Sequence, residues 1–251
     1  LKKIDLLRIF LRSFLIQASW NYKGMLNLGF LFTIMPGLRR LYPDKKDRQA
    51  AVVRHFEFFN THPYLASYAV GATLSAEEEA AERRDKKGFD DVLRLKSSLC
   101  GPLGALGDNL FWNRWRPMCA VIGLLGSYLW GIWGVVVFLI LYNVPHLSVR
   151  YWGLHSSYRD RVSFVNELSG NVYRTVPAFG ERMGAFFMGC LTIVLVGYNG
   201  SFDLQTRAAF LGALMISFLL LRKFRRFRVT QAAVVIIFTA ITLSGVSSWL
   251  K

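Results

Sequence analysis

Two short stretches of this sequence gather polar groups between apolar flanks, which is what a site for a polar ligand beside a lipid-like interior requires. The first, "GPLGALGDNLFWNRWRP" at residues 101–117, sets three glycines at a spacing of three before an acid, an amide, tryptophans and two arginines. Gly101, Gly104 and Gly107 do not make a phosphate loop, because no Gly-Lys-Ser/Thr follows and the dinucleotide spacing is absent. Their use is conformational. Glycine lets a backbone turn or approach another helix, and interrupted helices at membrane depth are tolerated where they line a cavity. Freed amide and carbonyl ends at such a break hold polar ligands. Asp108 and Asn109 add acceptors, Arg116 a fork of donors and Trp112 a flat apolar face. That set suits a sugar, which has hydroxyls at its rim and C–H groups on its faces. Arg114 and Arg116 have a second reading, as markers of the cytoplasmic end of the next helix.

The second stretch is "HFEFFNTHPYLA", residues 55–66, where Asn60, Thr61 and His62 cluster. Pro63 disfavours helical geometry at His62, so a helix entering here is expected to stop near Asn60. The three side chains then serve either as caps or as ligand contacts. A metal site from His55, Glu57 and His62 fits no standard ligand spacing, so no metal or cofactor is expected. A third stretch, "IQASWNY" at 16–22, offers Gln17 and Asn21 as secondary contacts near an interface. No His-Glu-x-x-His, nucleophile elbow or Asp-x-Asp accompanies them, so the chain is not expected to be an enzyme by itself. His146 and His155 read as satisfied helix residues.

The elements that must position these groups are membrane helices. Of the 251 residues 53% are hydrophobic and only 19% charged, against about a quarter charged in soluble domains. The apolar residues are clustered in charge-free runs at 117–145, 183–202, 208–221 and 229–250. A spanning helix needs ~20 such residues, so the fold class expected is all-α: a polytopic integral membrane protein with re-entrant or broken helices. The net charge of +15 belongs to the loops and the anionic headgroups they face, not to nucleic acid. Cys100, Cys119 and Cys190 lack paired spacing and read as small core residues.

At the amino end, Asp5, Arg8 and Arg12 fall on one helical stripe, and Ile4, Leu7, Leu11, Phe14 and Leu15 on another. This predicts an amphipathic helix, lying in the headgroup plane or packed on protein. The runs at 25–38 and 63–76 are apolar but too short to cross, and the tract 77–96 reads as a water-facing helix. "RKFRRFR" at 222–228 and the five arginines from Arg150 to Arg182 place those segments inside. The nearly neutral 199–207 fits outside, so the carboxyl terminus points outward. Basic tracts on both sides of 117–149 predict a hairpin broken around Gly131 and Gly134.

The quoted stretches, in this order, resemble the IID membrane component of mannose/fructose/sorbose-family permeases of the bacterial phosphotransferase system. Residues 12–30 read "RSFLIQASWNYKGMLNLGF" against a family start of "RSFxxQxSWNYxxMQxxGF". "LYPDK" at 41–45 and "HFEFFNTHPY" at 55–64 follow, then "GPLGALGDNLFWNRWRP" against "GPLAGIGDSLFWGTxRP", and "VRYWGL" at 149–154. The likeness covers about residues 12–155. The sequence departs from the pattern at Asn109, where serine is common, and at Asn113, Arg114 and Trp115, where small residues are usual.

The resemblance implies a single membrane domain over 1–251: an amphipathic segment at 1–24, short apolar segments with a charged tract and a glycine-rich hairpin at 25–116, and transmembrane helices at 117–251. It implies a non-phosphorylated subunit of the bacterial inner membrane that pairs with a IIC subunit in a higher-order hetero-oligomer and moves a hexose inward. Soluble IIA and IIB proteins relay phosphate to that sugar. Asp108, Asn109, Trp112 and Arg116, with Asn60, Thr61 and His62, would line the sugar site, and the basic segments 39–54 and 82–96 would dock IIB. A regulatory or scaffolding protein that keeps the fold without transport is the alternative. An ion-coupled transporter is not favoured, since the apolar runs contain no carboxylates.

Overall fold

The central element is a helix of small residues. In a computed structural model of the chain, α4 (Ala66–Arg83) buries almost its whole first half, from Ala66 to Leu74. Alanine, serine, glycine and threonine there let neighbours approach closely: a Cβ at Gly71 would lie 2.2 Å from Ser157 Oγ on α7 (Ile132–Arg159). The structure describes residues 1–83, 86–161 and 163–198 and position 212. The chain forms two compact units, Leu1–Met188 and Gly189–Lys251. Of the second, residues 189–198 are described as the end of α9 (Asn171–Tyr198). The runs expected at 208–221 and 229–250, the "RKFRRFR" loop and the carboxyl terminus lie outside the described residues.

The remaining elements are α1 (Lys3–Ser13), α2 (Asn27–Leu41), α3 (Lys45–His55), α5 (Lys86–Gly107), a π-helix (Asp108–Trp115), α6 (Arg116–Trp130) and α8 (Ser163–Leu168). Among the described residues there is no strand, only isolated bridges joining Met25 to Asn21 and to Phe59. The core runs from Ile9 and Ile16 through Phe30, Ile34 and Leu38 of α2 to Leu65, Tyr68 and Leu74, and on to Phe111 and Leu154. Helix α1 is packed on the protein, and Asp5 of its polar stripe is buried. It buries Ile9 and Ser13 against the protein and leaves Ile4, Leu7, Leu11, Phe14 and Leu15 exposed.

The hairpin expected at Gly131 is present. Gly131 takes φ +59°, a left-handed conformation that suits glycine, and ends α6. Gly134 then crosses so close to α6 that a Cβ would meet Ser127 N at 1.9 Å. Among the described residues α7 is the one helix long and apolar enough to cross a membrane, with a mean hydropathy of 1.8 over its most apolar window. Its 28 residues span about 42 Å at 1.5 Å each.

Two expectations change. Residues 101–117 do not fold as a hairpin; the chain continues as helix from α5 through the π-helix into α6. The wider π turn spaces side chains differently from the α turn, and such turns concentrate at functional sites. The tract 77–96 is not wholly water-facing either, because Glu77 and Lys96 at its two ends are buried. The Glu77 carboxylate accepts from Tyr42 Oη at 2.9 Å and from Arg54, and pairs with His55 Nε2 at 3.1 Å. Partners on α3 and at the end of α2, distant in sequence, make that burial tolerable.

Candidate functional site

The stretch bearing Asn60, Thr61 and His62 leaves helical geometry earlier than Pro63 alone predicts. Helix α3 ends at His55 and the chain runs irregularly until Ala66. Three sets of bonds hold this segment from outside. Phe59 O accepts from Leu26 N at 2.8 Å, and Phe56 O from Asn27 Nδ2 at 2.8 Å. The Lys96 ammonium, fully buried over the rings of Phe30 and Phe59, donates to His55 O at 3.1 Å and to Glu57 O at 3.4 Å. Burial pushes Lys96 down to about 8. Burial alone would raise Glu77, but bonds from His55 and Arg54 outweigh it and hold the carboxyl below its ordinary range.

This segment docks on the glycine-rich helix. Gly107 sits so close to His62 that a Cβ there would fall 2.3 Å from His62 Cβ, so only glycine fits. A Cβ at Gly104 would make ordinary contact with Thr61 Cα at 3.7 Å. The His62 ring stacks on Phe111, with centroids 5.6 Å apart and planes 17° apart, and lies 4.9 Å from Trp112. The structure therefore brings together two stretches distant in sequence, with His62 against Gly107 and Thr61 against Gly104.

Further residues join them. Tyr64 stacks on His146 of α7 at 4.4 Å, and its hydroxyl meets Tyr142 Oη at 2.6 Å. Arg150 of the "VRYWGL" tract is buried, lies 5.0 Å from the centroid of the Tyr64 ring and donates to Ser13 O at 2.7 Å. Sequence reasoning missed Tyr64, Tyr142 and His146 as site residues. The readable signal was the spacing of Tyr142, His146 and Arg150, four apart and so on one face of a helix. In this cluster Thr61 Oγ1, His62 Nε2 and His146 Nδ1 are buried with no hydrogen-bond partner among the described residues.

The other expected residues stand around it. Asp108 opens the π-helix, half-buried, and Trp112 is 43% exposed. Asn60, Asn109 and Arg116 are exposed. Gln17 is exposed too, whereas the Asn21 amide is engaged within its own turn, accepting from Gly24 N at 2.7 Å and donating to Asn27 Oδ1 at 3.1 Å. Among the described residues no group of three His, Cys, Asp or Glu side chains is placed to hold a metal ion.

The pattern that describes the mannose/fructose/sorbose family IID component of the phosphotransferase system matches residues 1–249. This chain belongs to that family. It is 37% identical to the mannose-specific EIID component of Escherichia coli K12 over 194 residues, 76% of this chain and 68% of that protein. The sorbose-specific EIID component of Klebsiella pneumoniae is 35% identical over 74% of this chain and 68% of that one. The fructose permease IID component of Bacillus subtilis is 32% identical over 76% and 69%. A chain in the solved complex of the mannose transporter ManYZ with microcin E492 aligns at a TM-score of 0.62 and 29% identity, covering 99% of this chain and 97% of that one. A second solved membrane protein aligns at 0.74 and 26% identity, covering 99% and 97%. The IID assignment makes this a subunit of a membrane permease, and its described residues are helical without strands.

Proposed function

We propose that this IID subunit works with a IIC membrane subunit to bind a mannose-type hexose and carry it inward across the bacterial inner membrane, where a IIB protein charged through IIA phosphorylates it. On this reading the chain crosses the bilayer several times with its carboxyl terminus outside, and α7 is one crossing. The sugar lies against the cluster of His62, Phe111, Trp112 and Tyr64, within reach of Thr61, Asp108, Asn109, Asn60 and Arg116.

One observation carries the reading. Three buried polar atoms, Thr61 Oγ1, His62 Nε2 and His146 Nδ1, have no hydrogen-bond partner among the described residues, and the two imidazoles stack on the rings of Phe111 and Tyr64. Each costs about 1–3 kcal/mol to leave unmade, and a ligand that brings hydroxyls and C–H faces together recovers that cost. The bulky residues at 114 and 115 do not argue for a non-transporting scaffold. Arg114 pairs with Glu181 at 3.1 Å and bonds Asn109 O at 3.2 Å, while Trp115 bonds α7. Both are engaged in packing.

The test is uptake by Asp108→Ala and Thr61→Val variants co-expressed with IIC. Loss of uptake with the IIC–IID pair still assembled is expected. Normal uptake in both variants would overturn the assignment.

A further inference from the structure

In an α-helix each carbonyl accepts from the N–H four residues on. Proline has no N–H, so Pro145, inside α7, leaves the carbonyl of Leu141 without its helical donor. At membrane depth no water is at hand to replace it. The structure supplies a substitute from another element: Trp115 Nε1 donates to Leu141 O at 3.0 Å. The same device recurs at Pro36 inside α2, where the abandoned carbonyl is that of Phe32 and Arg12 Nη1 donates to it at 3.0 Å. Of the four helix-interior prolines among the described residues, Pro36 and Pro145 are thus each answered by a side-chain donor from another segment.

The place of the first bond gives it a consequence. Trp115 closes the π-helix, three and four residues after Trp112 and Phe111, which flank His62. Leu141 immediately precedes Tyr142 on the helix that also presents His146 to Tyr64. A single hydrogen bond therefore joins the wall carried by the π-helix to the wall carried by α7. We propose that Trp115 is a positioning residue for the sugar site: its indole N–H occupies the carbonyl vacated by Pro145 and so fixes the spacing of the two walls. This rests on the hexose-binding reading above.

The test is a double-mutant cycle on the IIC–IID complex with Trp115→Phe, Pro145→Ala and both together. Phenylalanine keeps the ring and removes the donor. Alanine at 145 returns the helical donor to Leu141 O. Trp115→Phe alone is expected to raise the KM for sugar uptake about tenfold with kcat within about twofold, the size of one lost hydrogen bond. In the Pro145→Ala background the same change is expected to alter KM less than about twofold. Equal effects in both backgrounds, or no effect in either, would overturn the proposal, because bulk alone does not distinguish the backgrounds.

The melting temperature of the purified complex gives a second readout. If the wild type takes up no hexose, non-additive melting shifts sustain the latch and only the transport reading fails. Additive shifts sink the latch itself. Should Trp115→Phe not assemble, its recovery by Pro145→Ala counts for the proposal and failure to recover counts against it.

Discussion

At the scale of single residues, the site is built by contacts that leave no slack. Gly107 is the sharpest case, because its missing side chain is the space that His62 occupies. Gly107→Ala is therefore expected to displace His62 from Phe111 and destabilise the complex by ~1–3 kcal/mol, with uptake lost in proportion. Gly101 is the internal control. It lies in the same helix with nothing within 4 Å of its would-be Cβ, so Gly101→Ala is expected to be neutral or to stabilise by up to ~1 kcal/mol. Melting curves of the two variants check this, and equal destabilisation would show that the glycines serve flexibility and not contact. Gly104, Gly107, Thr61, His62 and Trp112, which pack together, were legible because unusual residue types stood between apolar flanks. The four-residue spacing of Tyr142, His146 and Arg150 marks one helix face, but aromatics are commonplace near membranes, and nothing in the string shows that this face meets Tyr64, 78 residues before Tyr142.

At the scale of elements, the irregular segment 56–65 needs a rigid surround, and buried charges provide it. Asp44 caps α3 by accepting from Lys46 N at 2.7 Å and Asp47 N at 3.2 Å. Glu77 then gathers Tyr42, Arg54 and His55, while Lys96 reaches across to the carbonyls at 55 and 57. A charged tract in a sequence reads as solvated, and nothing in the string marks Glu77 and Lys96 as the two members that find buried partners. Lys96 yields a pH signature. Its folded value of about 8 lies below the ordinary 10.5, so above pH 8 the unfolded chain binds a proton that the folded chain has released. Stability from this group accordingly rises with pH through the window from about 8 to 10.5. Between pH 7 and 9.5 the wild type is expected to gain roughly 1–2 kcal/mol relative to Lys96→Met. A stability difference that stays flat over that range would mean Lys96 is not held dry.

At the scale of the whole molecule, the charge and the apolar surface divide the work. Leu124, Trp130, Ile132, Trp133, Leu139, Ile140 and Val144 of the α6–α7 hairpin are exposed, as suits a surface that faces lipid or a second membrane subunit. Helix α7 and the Gly131 break before it were legible because length and charge-free composition are properties of the string alone. The basic surface is elsewhere. An open groove of about 520 Å³ between α3 and α5 is lined by Lys46, Gln49, Ala50, Val53, Arg54 and Leu93, with Lys45 and Arg94 also exposed on the same two helices. Its mixed basic and apolar lining suits a soluble protein partner of acidic surface, and under the function proposed above we propose IIB as that partner. Opposite charges across such a face act mainly on encounter and are screened by salt. Charge reversal at Lys45, Lys46 and Arg94 together is therefore expected to raise the KM for phosphorylated IIB about tenfold at low ionic strength. The deficit should shrink toward the wild type near 0.5 M salt, where the screening length falls to about 4 Å, and assembly with IIC should be untouched. An unchanged KM at low salt would remove this groove as the docking face for IIB.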